Sequence, residues 1–205
     1  MGILLDTEFW ELKKMKMKLN IGIDIDGTAF DTDGEILNYI GLYYNEIFPK
    51  KDIKIDLEAS LPGVEKHIIF DAIDIAVADI NLPFNKGAKN VIQWLSEYYN
   101  IYFVTYRPPD TVKVTTKLLN RLDIDYELIM VDRKMGKYGM INYKNIKVFI
   151  EDDTPTILDI EENTETTCLI YNQPWNANIL QSEQTLRMYG WKEIKDYFII
   201  RGVGE

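Results

Sequence analysis

The sequence predicts a three-layer α/β fold, in which helices cover both faces of a parallel sheet and a small helical segment is inserted after the first strand. From residue 85 onward, short apolar runs of strand length alternate with segments of helical periodicity. Strands that alternate with helices form parallel sheets through right-handed crossovers. Residues 32–83 show helical periodicity but no strand pattern, which indicates that they are the insertion.

Five apolar runs are the predicted strands. They lie at residues 19–25, 101–105, 127–131, 146–150 and 167–171. Nearly continuous apolar runs of this length are typical of strands that are buried on both faces of a parallel sheet. Cys168 lies inside the last run, so we expect its thiol to be buried, and a single cysteine excludes an intramolecular disulfide.

Helices are predicted between these strands from capping residues and apolar periodicity. Asn85 is expected to cap the first of them, and Asp110 to cap a second helix that continues through Leu122. Two further helices are predicted at residues 138–143 and 154–162.

These patterns divide the chain into one α/β core with an inserted helical cap. Residues 19–31 and 84–205 form the predicted core, residues 32–83 the cap, and residues 1–18 an N-terminal extension. With 205 residues and 46% apolar composition, the chain can bury a sizeable core, but it is short for two full domains.

Two main helices are expected within the predicted cap. They lie at residues 34–48 and at residues 64–80. Apolar side chains at helical spacing form one face of the first helix, and a proline follows its end. The members of this face are Ile36, Ile40, Tyr43 and Ile47.

Charge and hydropathy exclude several classes of function. The formal net charge of −10 argues against binding a nucleic acid polymer, because that requires a basic surface that neutralises phosphates. The same charge permits a small phosphorylated ligand that meets local cations. No apolar run approaches the length that crosses a bilayer, and the first residues lack the pattern of a secretion signal. We therefore expect a cytoplasmic protein without membrane contact.

The motif Asp24-Ile25-Asp26-Gly27-Thr28 places two carboxylates at the end of the first predicted strand. Side chains two residues apart on a strand point to the same face, so Asp24 and Asp26 would be neighbours, and Gly27 allows a sharp turn. Adjacent carboxylates repel each other unless a cation or a phosphate-binding network compensates them. Mg²⁺, which prefers oxygen ligands, fits this role, and the alternative is a strand end with two solvated carboxylates.

Other polar side chains follow the later strands. The carboxyl ends of the strands are where an open α/β sheet binds its ligand. Thr105 and Arg107 follow the second predicted strand, and an acidic cluster at residues 151–153 follows a later one. Arg107 is a candidate to contact phosphate or substrate, or to pair with an acid. Lys137 precedes the strand that ends in the acidic cluster and would reach the same edge, with Lys134 as the competing lysine.

These four motifs, in this order, resemble those of the haloacid dehalogenase (HAD) superfamily. The first motif is the Asp-Ile-Asp-Gly-Thr segment, the second is Thr105, the third is Lys137, and the fourth is the cluster at residues 151–153. The fourth motif departs from the commoner Asp-Asp or Gly-Asp pair because Glu151 comes first. The resemblance implies a HAD-like Rossmannoid fold whose inserted cap closes over small, diffusible substrates.

The resemblance also implies a role for each site residue. Asp24 would be the nucleophile that forms an aspartyl-phosphate, and Asp26 would be the general acid and base. Mg²⁺ would be held by Asp24, the backbone carbonyl of Asp26, and Asp152. Thr105 and Lys137 would hold the phosphoryl oxygens as charge moves during the transfer.

The second carboxylate of the first motif narrows the implied reaction. Dehalogenases of this superfamily lack an aspartate at the position that corresponds to Asp26, so phosphatase chemistry is expected. Within the superfamily, the chain resembles the 5'(3')-deoxyribonucleotidases and the related small bacterial nucleotidases at residues 23–28, 104–108, 149–153 and 171–176. The implied substrate is a nucleoside monophosphate. The alternatives are another small metabolite, such as a sugar phosphate or phosphoglycolate, and a non-catalytic binding protein; a homodimer stays open.

Overall fold

Six parallel strands form one sheet in the part of the chain that the computed structural model describes, residues 18–202. The predicted N-terminal extension lies outside these residues, apart from its last one. The strands are β1 (Asn20–Ile23), β2 (Asn100–Thr105), β3 (Glu127–Met130), β4 (Ile146–Glu151), β5 (Thr167–Tyr171) and β6 (Thr185–Met188). Their order across the sheet is β3-β2-β1-β4-β5-β6.

Eight α-helices lie within residues 18–202. They are α1 (Thr32–Tyr44), α2 (Leu57–Ser60), α3 (Lys66–Ala78), α4 (Ala88–Tyr98), α5 (Val112–Leu119), α6 (Tyr138–Tyr143), α7 (Thr154–Asn163) and α8 (Trp191–Ile200). Short 3₁₀ turns lie at Lys50–Asp52, Pro109–Thr111, Asn120–Leu122, Arg133–Met135 and Pro174–Asn176. None of the helices in this part of the chain is both long enough and apolar enough to span a bilayer.

Side chains of the sheet alternate between two buried faces. Phe103 of β2 packs in a cluster with Ile92 of α4 and with Trp191 of α8. The next residue, Val104, points the other way, into a cluster that includes Ile157 of α7. The predicted three-layer α/β class with a parallel sheet is therefore confirmed.

The sequence patterns missed the last strand and the last helix. All five predicted strands are present within a residue or two, but β6 was not predicted. Its four residues, Thr-Leu-Arg-Met, mix polar and apolar types and give no periodicity that stands out. β6 lies at the sheet edge with a neighbour on one side only, and two of its four residues are partly exposed, so its sequence signal is weak.

The first helix ends earlier than predicted. Asn45 adopts a left-handed conformation with φ of 53°, and its backbone N–H donates to the carbonyl of Gly41, which terminates α1 after Tyr44. Tyr43 and Ile47 are consequently 59% and 87% exposed, whereas Ile40 is fully buried. The prediction that these two side chains belong to the apolar face was wrong.

The predicted helix caps at Asn85 and Asp110 were also wrong. Gly87, with φ of 85°, precedes α4, and Thr111 precedes α5, while Asp110 lies in a 3₁₀ turn. The helix α5 ends at Leu119, and a separate 3₁₀ turn continues to Leu122.

Asn85 has a different structural role, because it anchors the loop after β1. Its Nδ2 group lies 2.9 Å from the carbonyl oxygen of Gly27, 2.8 Å from that of Thr28 and 3.2 Å from that of Phe30. The side chain is buried, so these carbonyls have little access to water there. Asn85 therefore anchors the loop of the first motif to the segment that precedes α4.

Replacing Asn85 with Ala is expected to lower the free energy of unfolding by about 1–3 kcal/mol, because buried carbonyls lose their donor. Denaturant titration measures this change. The matched control is Asn81→Ala at an exposed position, where a change within about 0.5 kcal/mol is expected. Equal stabilities of the two variants would contradict the anchoring role.

The inserted residues 32–83 are helical and contain no strand. Their apolar side chains form a cluster separate from the two sheet clusters, with Ile40 and Ala72 fully buried at its centre. Trp175, which follows β5, packs against this cluster. The insertion thus contacts the core beside the carboxyl ends of the strands, and its treatment as a distinct cap domain stays a prediction.

Candidate active site

A cavity of about 380 Å³ lies between the carboxyl edge of the sheet and the insertion. The residues after β1, β2 and β4 line its floor, because these three strands are adjacent in the sheet. The floor includes Asp24, Asp26, Thr105, Lys137, Glu151 and Asp152. Side chains of the insertion, among them Asp33, Ile53, Ile73 and Val77, line the opposite wall. Its size suits a small ligand rather than a polymer.

Gly27 allows the first motif to fold against the fourth. Its φ is 80°, in the left-handed region that favours glycine. A Cβ atom at this position would also collide with the carboxylate of Asp152. The sharp turn predicted at Gly27 is therefore confirmed, and the close approach to Asp152 is a second reason for glycine here.

Three carboxylates converge at the ends of β1 and β4. Asp24, Glu151 and Asp152 each offer an oxygen, and these oxygens lie within 4.8 Å of one another. The two strands are neighbours, and the backbone N–H of Asp24 donates to the carbonyl of Ile150 at 3.0 Å. Residues that are far apart in sequence thus form one acidic cluster, as the strand order requires.

Lys137 lies inside this acidic cluster. Its ammonium contacts Oδ1 of Asp24 and lies 2.8 Å from Oε2 of Glu151, and its side chain is 1% exposed. It directly precedes α6, which sets its direction toward the sheet edge. Lys134, the competing candidate, is exposed and does not line the cavity.

Burial and mutual repulsion change the pKa values of these groups. Burial first, and then the charge of Glu151, raise the pKa of Asp24 well above its usual range, although Lys137 opposes the shift. Burial and the charge of Asp24 raise the pKa of Asp152 in the same way. Burial would lower the pKa of Lys137, but Asp24 and Glu151 outweigh it and raise that pKa. The cluster thus has excess negative charge.

This donor set fits a hard divalent cation. Three ionised carboxylates and one ammonium leave a net charge of −2, which is the charge that Mg²⁺ would neutralise. All three acidic groups offer carboxylate oxygens, the ligands that Mg²⁺ prefers. The acidic cluster is therefore able to hold a metal ion.

Asp152 is oriented by residues that sequence reasoning did not assign. Thr28 donates its hydroxyl to Oδ1 of Asp152 at 2.5 Å, and Trp175 donates Nε1 to Oδ2 at 3.1 Å. Asn176 donates to the backbone carbonyl of Asp152 at 2.9 Å. Such contacts fix the direction of a ligand carboxylate. The available signal was the segment Gln173-Pro174-Trp175-Asn176 directly after a predicted strand.

Glu151 explains the unusual start of the fourth motif. It is fully buried, and its Oε2 accepts from Lys137 while its Oε1 accepts the backbone N–H groups of Asp152 and Asp153, both at 3.0 Å. Asp153 in turn caps α7 by accepting from the N–H of Thr156 at 3.1 Å. Glu151 therefore orients both the lysine and the loop that carries Asp152.

Asp26 pairs with Arg107. The guanidinium donates from Nε to Oδ2 of Asp26 at 2.9 Å and from Nη2 to Oδ1 at 2.7 Å, and Thr32 donates its hydroxyl to Oδ1 at 2.6 Å. Burial acts to raise the pKa of Asp26, but the hydrogen bonds and charge of Arg107 outweigh it, so the net pKa is lowered. Of the two roles considered for Arg107, the structure shows the pairing with an acid.

Thr105 and Asp33 complete the polar lining. Thr105, 1% exposed at the end of β2, accepts the backbone N–H of Arg107 at its hydroxyl oxygen, at 3.1 Å. Asp33 lies in the first turn of α1, and burial raises its pKa to about 6 despite the opposing charge of Lys50. Asp33 was not singled out in the sequence, because nothing in the helical insertion indicated which of its acids faces the core.

The fold is that of HAD-like hydrolases, and the residues at its carboxyl edge resemble the site of the phosphatases of that superfamily. No family model matches the chain. A haloacid dehalogenase-like hydrolase from Streptococcus pneumoniae has the same fold, with a TM-score of 0.59 and 17% identity over 89% of this chain and 98% of that chain. YfnB from Bacillus subtilis, solved with magnesium bound, has a TM-score of 0.57 and 12% identity over 90% of this chain and 99% of that chain.

Sequence similarity gives a narrower resemblance. A nucleotidase of Clostridium acetobutylicum is 29% identical over 184 residues, which are 86% of this chain and 92% of that protein. The chain therefore has the HAD fold and resembles the small nucleotidases of that superfamily, as its motifs predicted.

Proposed function

We propose that this protein is a Mg²⁺-dependent phosphomonoester hydrolase that dephosphorylates nucleoside or deoxynucleoside monophosphates through an aspartyl-phosphate. The observation that carries the proposal is the convergence of Asp24, Lys137 and Asp152 beneath a cavity of about 380 Å³. A carboxylate, a buried ammonium and a second carboxylate at one strand edge are the groups that phosphoryl transfer requires.

In the first step, a carboxylate oxygen of Asp24 attacks phosphorus, and the bond between phosphorus and the ester oxygen breaks. Asp26, whose pKa Arg107 lowers in the free protein, must first take up a proton, which it then donates to the departing alkoxide. In the second step, water attacks the aspartyl-phosphate, Asp26 accepts a proton from it, and phosphate and free Asp24 result. Lys137 and Thr105 hold the phosphoryl oxygens throughout.

The metal would be held by Asp24, Asp152 and the backbone carbonyl of Asp26. When bound, Mg²⁺ offsets the repulsion between the carboxylate nucleophile and the phosphate. Thr28 and Trp175 keep Asp152 directed at that position through their contacts at 2.5 and 3.1 Å. These contacts preorganise the site and reduce the cost of ordering it during binding.

The nucleotide part of the proposal is supported by the similarity to the Clostridium acetobutylicum nucleotidase. The cavity lining agrees with it, because Tyr106 and Trp175 offer aromatic surface and Ile53, Ile73 and Val77 offer apolar surface beside the acidic floor. A planar base needs such a surface, whereas a small sugar phosphate or phosphoglycolate does not.

The test is phosphate release from a panel of nucleoside monophosphates, sugar phosphates and phosphoglycolate. We expect the highest kcat/KM with a nucleoside monophosphate, loss of activity with EDTA, and recovery with added Mg²⁺. No release from any member would overturn the proposed function. A preference for sugar phosphates would overturn the nucleotide assignment alone, and activity unaffected by EDTA would overturn the metal role alone.

A further inference from the structure

Arg107 connects the proposed acid of the core to the helical insertion. Its side chain is buried, and its Nε and Nη2 form a two-point contact with the Asp26 carboxylate. Its third nitrogen, Nη1, donates to the backbone carbonyl of Val77 at 3.3 Å. Val77 lies in the last turn of α3, so one guanidinium joins Asp26 to a helix of the insertion.

These contacts occupy all three nitrogens of the guanidinium. Nη1 has a second, longer contact, at 3.5 Å, with the hydroxyl of Thr115. The planar fork of an arginine matches a carboxylate at two points and holds it in one orientation, which a lysine cannot do. Arg107 in this arrangement orients Asp26, and four of its five N–H groups have partners within the protein.

A second contact links Asp26 to the insertion. Thr32, at the start of α1, donates its hydroxyl to the same carboxylate at 2.6 Å. Asp26 is therefore held from α1 directly and from α3 through Arg107. A general acid must lie within hydrogen-bond reach of the leaving oxygen, so the direction of this carboxylate affects the rate.

We propose that Arg107 is a positioning residue that fixes the orientation of Asp26 and makes that orientation depend on how the insertion sits on the core. This inference rests on the proposed phosphatase function. It assigns Arg107 to the proton-transfer step and not to the binding of phosphate.

Substrates with different leaving groups distinguish a residue that positions Asp26 from a residue that binds phosphate. An alkoxide leaving group, as in a nucleoside monophosphate, needs a proton from the general acid, whereas p-nitrophenolate is stable without one. A residue that acts through Asp26 should therefore lower kcat/KM, which reports the step that expels the leaving group, more for the first substrate than for the second. A residue that binds phosphate should affect both substrates alike and should raise KM.

The experiment is a double-mutant cycle in the full-length chain with Asp26→Asn, Arg107→Lys and the double variant. We expect Asp26→Asn to lower kcat/KM for a nucleoside monophosphate by about 100-fold or more, and Arg107→Lys by about 10-fold or more, without a rise in KM. The double variant should be no slower than Asp26→Asn, because both changes remove the same contribution. The effect of Arg107→Lys on p-nitrophenyl phosphate should be clearly smaller.

Two further variants control for structural damage. Thr32→Val removes the other contact from the insertion and should show the same difference between the two substrates, so it tests the proposal even if Arg107→Lys does not fold. Arg121→Lys is the matched control, because Arg121 donates to the carbonyl of Leu82 at 2.6 Å, at the end of the same insertion. Arg121→Lys should lower the rates with both substrates equally or not at all.

The positioning role would be overturned if the loss in the double variant equalled the product of the two single losses. It would also be overturned if Arg107→Lys gave an equal loss with both substrates together with a higher KM. Either result would leave the proposed function in place. A wild-type protein that releases no phosphate from any monophosphate would overturn the proposed function and this inference together.

Discussion

Asp24→Asn is expected to abolish phosphate release from every substrate of the wild-type protein. Asparagine has nearly the same shape, but its amide cannot form the aspartyl-phosphate and carries no charge for a metal ion. Removing a nucleophile that acts together with its neighbours lowers kcat by roughly ten-thousand-fold or more. Steady-state phosphate release measures the effect.

The matched control is Asp33→Asn, which makes the same chemical change in the same cavity at a carboxyl that has no assigned role in the transfer. We expect a much smaller loss there. A near-normal rate for Asp24→Asn would contradict the nucleophile assignment. Equal losses for both variants would also contradict it, because removal of any negative charge from the cavity would then be enough to stop the reaction.

The inactive variant should remain folded. Folding raises the pKa of Asp24, so the folded state holds its proton more tightly than the unfolded chain does. Ionisation of this carboxyl as pH rises therefore lowers the free energy of unfolding, and asparagine does not ionise. We expect metal-free Asp24→Asn to be at least as stable as metal-free wild type at neutral pH, which denaturant titration would check.

Lys137→Met is expected to reduce both activity and stability. The ammonium is 1% exposed and neutralises Asp24 and Glu151, and methionine would leave these two buried carboxylates without their cation. Removing one partner of a buried ion pair typically costs about 3–5 kcal/mol. We also expect kcat to fall by about 100-fold or more, since the charge that stabilises the transferring phosphoryl group is lost. Denaturant titration and phosphate release measure the two effects.

Lys134→Met is the control for this substitution. Lys134 is exposed three residues earlier, so its loss should change the free energy of unfolding by less than about 0.5 kcal/mol and leave the rate near that of wild type. An active, stable Lys137→Met, or a larger effect at Lys134, would contradict the assignment of the third motif.

The sequence predicted the core and the floor of the site for one physical reason. Strands that are buried on both faces must be apolar, so the polar residues Asp24, Thr105 and Asp152 stand out where those strands end. Parallel strands bring such ends to one edge without any further information. The convergence of Asp24 with Asp152 followed from this rule.

The contacts that orient these groups could not be predicted. Asn85 has the residue type of a helix cap, but three backbone carbonyls of the loop after β1 lie within reach of its amide. Trp175 and Arg107 meet their partners, Asp152 and Asp26, only once strands that are distant in sequence lie side by side. Sequence patterns report local periodicity and do not report which distant acid a buried arginine meets.

The most direct test of the account is whether phosphate is transferred to Asp24. The protein would be mixed with substrate and Mg²⁺, quenched in acid during turnover, digested, and examined by mass spectrometry. We predict a phosphoryl group on the peptide that contains Asp24, and none on the corresponding peptide of Asp24→Asn. Phosphate release without any phosphorylated Asp24 peptide, or a phosphoryl group on a different residue, would contradict the account.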